Sequence, residues 1–107
     1  MLKDNESIEI PGPEAIEALS EIEYILISLK KIASYYYERV DAPPTDTTPV
    51  EYALETTRFI DENEVTRRLA KTRKIISSKF NHELGDDDMD EVERACEIIE
   101  YWEKPGD

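Results

Sequence analysis

Residues 13–40 read PEAIEALSEIEYILISLKKIASYYYERV, and the spacing inside this stretch decides the fold class. Ala15, Ala18, Ile22, Ile25, Leu29, Ile32 and Tyr36 recur at alternating steps of 3 and 4, the period of one helix face. A second row, Leu19, Leu26, Ala33 and Val40, repeats every 7 residues and is expected to widen the buried side. Pro13 suits the first turn of a helix, and Glu14 and Glu17 suit its positive end. A helix over 13–41 is a rod of roughly 40 Å.

Outward from this stretch, the breakers divide the chain. Its 3 glycines and 6 prolines fall in four clusters: residues 11–13, 43–49, Gly85, and Pro105 with Gly106. Pro lacks a donor and Gly is flexible, so the stretches between them suit helices. Thr48, Pro49 and Glu51 read as a capping box with proline in the first turn. Val50, Leu54, Thr57 and Ile60 then trace one face, giving a helix over 49–61. The polar patch 61–64 offers a break, and Val65, Leu69, Thr72, Ile76, Phe80 and Leu84 trace the next face over 64–84, with Gly85 as its cap. A last helix over 88–104 shows Met89, Val92, Cys96, Ile99 and Trp102. Residues 1–12 are expected as an extended arm and 105–107 as a tail. The expectation is an all-α antiparallel bundle of three long helices, four with the split, in one domain over 13–104.

The charge excludes several functions. Against 26 acidic residues stand 13 basic ones, a net of −13. Such a surface repels phosphate backbones and anionic lipids, which disfavours direct nucleic-acid binding and membrane coating. The charge is uneven: −6 over 1–47, +1 over 48–84 and −8 over 85–107. Between Val65 and His82 lie Arg67, Arg68, Lys71, Arg73, Lys74 and Lys79 with no acid among them, and pairing with neighbouring glutamates is the expected fate of this stretch. The start carries no apolar signal core, and no apolar run approaches the ~20 residues of a membrane span. Cys96 is the only cysteine, which fits a reducing cytoplasmic compartment and a thiol packed in a helix seam.

Chemistry-bearing patterns are weak. Asp86, Asp88, Asp90 and Glu97 match positions 1, 3, 5 and 12 of a calcium loop, but Glu91 stands where that loop needs Gly. Glu17, Glu21, Glu38 and Asp41 are the carboxylates from which a magnesium-dependent nucleotide pyrophosphohydrolase could be built, without the doubled Glu motif of such enzymes. His82, the only histidine, has no second ligand or nucleophile beside it in sequence. No catalytic residue, metal or cofactor is therefore expected. The expected role is a non-enzymatic interaction protein of the inhibitor or immunity type. It would bind a basic partner, itself a candidate nucleic-acid binder, through Asp86, Asp87, Asp88, Asp90, Glu91 and Glu93, with Tyr35 and Tyr37 as aromatic anchors. The alternative is a homodimeric bundle joined around Tyr24 and Ile27.

Overall fold

The computed structural model describes residues 1–103, and these are all-α: no strand occurs among them. The four helices are α1 (Gly12–Tyr37), α2 (Thr48–Glu62), α3 (Val65–Ser77) and α4 (Glu91–Glu97). The contacts gather the chain into two compact units, Pro11–Ile75 and Met1–Ile10 with Ile76–Asp107, where the sequence suggests one domain over 13–104.

In the first unit, α1, α2 and α3 form the helical bundle. The seam of α1 lies inward as its spacing demands, with Ala18 and Ile25 buried and Leu29 and Ile32 packed on the core. Phe59 and Val65 complete that core from α2 and α3. Helix α1 stops at Tyr37, four residues short of the expected end, where Glu38 leaves helical geometry and Arg39 forks onto Asp41 at 2.9 and 3.2 Å. Pro43 and Pro44 forbid any resumption. The cap of α2 sits one residue earlier than the capping box suggests: Thr47 holds the N-cap position and its hydroxyl donates to Glu51 at 3.1 Å, while the buried Thr48 hydroxyl accepts from the Thr45 amide. The expected break between α2 and α3 is present, made at Asn63 and Glu64. Glu64 takes the left-handed conformation (φ 51°), unusual for a residue with a Cβ.

Three expected faces are corrected. On α2 the apolar row is inverted: Val50 and Leu54 stand 61% and 66% exposed, and Phe59 faces the core instead. In the second row, Leu19 and Leu26 on α1 are exposed rather than buried, and Val40 lies exposed beyond the helix end. On α3, Val65 and Thr72 are buried while Leu69 and Ile76 are exposed. Periodicity locates an apolar stripe, but two stripes on one helix leave open which of them meets the core.

In the second unit, α3 ends at Ser77, well before Gly85, and the chain runs without helix to Asp90. The His82 ring nitrogen Nε2 lies 2.8 Å from the Ser77 carbonyl and so satisfies one of the acceptors a helix end leaves open. Gly85 therefore caps no helix; it shapes a turn, with its amide donating to the Met89 carbonyl at 2.8 Å. A Cβ at Gly85 would meet Arg94 Nη2 at 2.6 Å and Asp87 Oδ1 at 3.2 Å, so a larger residue there would have to displace the Arg94–Asp87 fork. Helix α4 spans 7 residues rather than 88–104, and Ile98–Glu103 is not helical. Lys104 and the 105–107 tail lie outside the described residues. The N-terminal arm carries one 3-10 turn, Lys3–Asn5, and Asn5 is 4% exposed.

Candidate interaction surface

The acidic stretch 86–93 belongs to the second unit, and the structure sorts its six carboxylates into two kinds. Asp87, Asp90 and Glu91 are engaged within the unit. Arg94 grips Asp87 through Nε and Nη2, both at 2.8 Å, and the Met89 amide donates to the same carboxylate. These bonds, the guanidinium first, hold the Asp87 carboxyl far below the usual range. Asp90 caps α4: its Oδ1 accepts from the Glu93 amide at 2.8 Å, and its Oδ2 lies 2.8 Å from His82 Nδ1. The amide bond and then His82 lower its pKa.

His82 is thereby doubly committed. Nδ1 faces a carboxylate and Nε2 a carbonyl, and both are acceptors, so the ring satisfies both only as the imidazolium. The bond to Asp90, followed by that to Ser77, raises the His82 pKa. Glu91 Oε1 accepts from the Leu2 amide at 2.6 Å and from Asn5 Nδ2 at 2.9 Å. Burial opposes its ionisation, but these donors outweigh burial and its pKa falls. Asn5 also exchanges two bonds with the backbone of Asn81: its Oδ1 accepts from the Asn81 amide at 2.7 Å and its Nδ2 donates to the Asn81 carbonyl at 3.0 Å. The arm is thus fastened to the unit by side-chain amides. Helical spacing carries no signal for such bonds.

Asp86, Asp88 and Glu93 are exposed and make no side-chain bond among the described residues. Beyond them come Ile98, Tyr101 and Trp102; Ile98 is 83% and Trp102 85% exposed, where the sequence reading places Trp102 on a buried seam. Cys96, expected in that seam, is exposed as well. Both corrections follow from the early end of α4, because a seam needs a continued helix. Residues 1–10 and 76–103 carry 13 acidic and 3 basic side chains, a net of −10. Most of the charge of the whole chain is therefore concentrated in this unit.

Tyr35 and Tyr37 belong to the other unit, within an aromatic cluster. Tyr35 meets Tyr36 edge-on at 5.0 Å, Tyr37 meets Tyr52 at 5.4 Å, and Arg39 lies 4.9 Å over the Tyr35 ring. Tyr24 is also engaged: its hydroxyl donates to Asn63 at 3.0 Å, and Arg68 sits 4.2 Å over its ring. Of the basic stretch, Arg67 pairs with Glu64, Arg68 with Glu21 at 3.0 Å, and Lys71 with Glu17 at 2.7 Å. Arg73 and Lys74 are exposed.

These pairings also occupy the carboxylates considered for magnesium. Glu17 and Glu21 face cations of α3, Glu38 accepts from Ser34 at 2.8 Å, and Asp41 is held by Arg39. Among the described residues no group of three or more His, Cys, Asp or Glu converges on a common point. No helix of the described residues is long and apolar enough to cross a membrane.

The fold defines the class: an all-α chain whose first unit is a three-helix bundle. No family model, no curated protein and no solved structure matches it.

Proposed function

We propose that this chain is an interaction protein that captures a basic protein partner on its acidic unit. The observation that carries the reading is the exposure of Ile98, Tyr101 and Trp102 in the same unit as Asp86, Asp88 and Glu93, carboxylates free to meet cations from outside. Large aromatic and aliphatic side chains supply desolvated area at a contact, and the surrounding charge steers the partner and selects for basic ones. Asp87, Asp90 and Glu91 act in this reading as the frame that fixes the turn and α4. They are not contact residues. A partner that itself binds nucleic acid has the required charge, and inhibition or immunity by occupying its basic surface is the corresponding role.

The experiment is capture from a lysate of the source organism at low and moderate salt, followed by association kinetics with the retained protein. Asp86→Asn, Asp88→Asn and Glu93→Gln together should slow association about tenfold at low salt and flatten its salt dependence. Unchanged on-rates in this triple variant would refute the surface.

A further inference from the structure

Helix α1 presents a second apolar row away from the core. Ile16, Leu19, Leu26 and Ile27 are each 44% exposed or more; Ile16 and Ile27 lie opposite the buried Ala18 and Ile25, and Leu19 and Leu26 lie on the flank, about a quarter-turn away. Exposed alone, such a row says nothing of its occupant. The charges along it do. Among the ionisable side chains in the body of α1, Glu17 and Glu21 are paired with α3, and Glu14 is also engaged. Glu23, Lys30 and Lys31 are exposed and make no bond among the described residues. The unpartnered acid thus lies N-terminal to the Leu26–Ile27 pair and the unpartnered cations lie C-terminal to it.

That arrangement is self-complementary in one orientation only. Glu23 and Lys30 lie equally far, about 5 Å along the axis, on either side of the midpoint between Leu26 and Ile27. Two antiparallel copies crossing at that midpoint set Glu23 opposite Lys30 twice, Leu26 opposite Ile27 twice, and Ile16 opposite Tyr37. Two parallel copies would set Glu23 against Glu23 and Lys30 against Lys30, and like charges in register repel. A two-fold contact requires that residue i meet j and j meet i, and this sequence meets that condition.

We propose that α1 pairs antiparallel with α1 of a second copy of this chain about a two-fold axis between Leu26 and Ile27, burying Ile16, Leu19, Leu26 and Ile27 and matching Glu23 of each copy with Lys30 of the other. Tyr24 takes no part, since Asn63 and Arg68 already hold it. The surface lies in the first unit and is independent of the acidic surface proposed above.

Sedimentation of the full chain, at concentrations up to about 0.1 mM, tests the pairing. The wild type should sediment as a dimer, and Leu19→Gln with Leu26→Gln should sediment as a monomer. Both side chains are exposed, so circular dichroism should show the helices intact. Glu23→Lys alone and Lys30→Glu alone should each raise the dimer Kd about tenfold by replacing two attractive pairs with two repulsive ones. The two reversals combined should restore the wild-type Kd. A monomeric wild type would overturn the proposal. So would a dimer indifferent to the single reversals, or a double reversal that is no better than either one.

Discussion

Replacing Asn5 by alanine removes the side chain that fastens the N-terminal arm to the acidic unit. The amide is buried and makes two bonds to the Asn81 backbone, at 2.7 and 3.0 Å, besides the one to Glu91. Each neutral bond contributes about 1 kcal/mol net, so the two to Asn81 alone set a loss of about 2 kcal/mol. The Glu91 contact can only add to it. Two measurements check this. The urea midpoint should fall, with the slope unchanged if the unfolded state is unaffected. Hydrogen exchange at the Asn81 amide should speed up about 30-fold, the equivalent of 2 kcal/mol. Asn5→Asp provides the sharper variant. It keeps an acceptor for the Asn81 amide but sets a carboxylate against Glu91, so at neutral pH it should destabilise more than alanine, and the excess should shrink as the pH falls toward 4. A loss below about 0.5 kcal/mol for Asn5→Ala, with Asn81 exchange unchanged, would mean that Asn5 does not fasten the arm, because that is the ordinary range of a surface change.

The inverted face of α2 predicts that Phe59→Ala costs about 3 kcal/mol by urea unfolding, whereas Leu54→Gln, at an exposed site, stays within about 0.5 kcal/mol. Since the folded pKa of His82 is raised, its stabilising contribution is complete below its ordinary value of 6.5 and is lost as the pH rises through the raised value. The urea midpoints of wild type and His82→Gln should therefore differ most in mild acid and converge in alkali. Asp90 and Glu91 have lowered values, so their contributions hold above the ordinary carboxylate range and disappear as acid titrates them. Arg94→Ala should raise the Asp87 pKa toward the usual carboxylate range in a carbon-detected NMR titration, the Met89 amide still holding it somewhat low, and an unmoved value would contradict the Arg94 fork.

The helical class, the break at 61–64 and the inward seam of α1 were legible because period and breakers are local properties. The outer row of α1 and the inverted row of α2 were not. Leu26 or Leu54 on a second stripe has the spacing of a core residue whether or not a neighbour covers it. The length of α4 is hidden from the sequence for a similar reason. Val92, Cys96, Ile99 and Trp102 keep a helical period in sequence, yet Ile98 ends the helix and Ile98, Ile99, Tyr101 and Trp102 are exposed. Asn5, Asn81 and His82 carried no periodic signal at all. The Asn5–Asn81 bonds join residues 76 apart, and the His82 bond to Ser77 depends on where α3 stops. Within the candidate surface, sequence located the acidic cluster but not its division. The spacing of Asp86 through Glu93 does not reveal that Arg94, His82 and Asn5 would occupy Asp87, Asp90 and Glu91.

Trp102 is the only tryptophan, so its fluorescence reports directly on the surface proposed to hold a partner. The decisive titration adds an amphipathic lysine–leucine helical peptide to the full chain at low salt, beside poly-lysine as an all-polar control. Capture of a basic partner at this surface predicts a blue shift with the amphipathic peptide, weakened by added salt and by the combined Asp86→Asn, Asp88→Asn and Glu93→Gln changes. An emission maximum that does not move at low salt, or that moves equally in the neutralised variant, would contradict it.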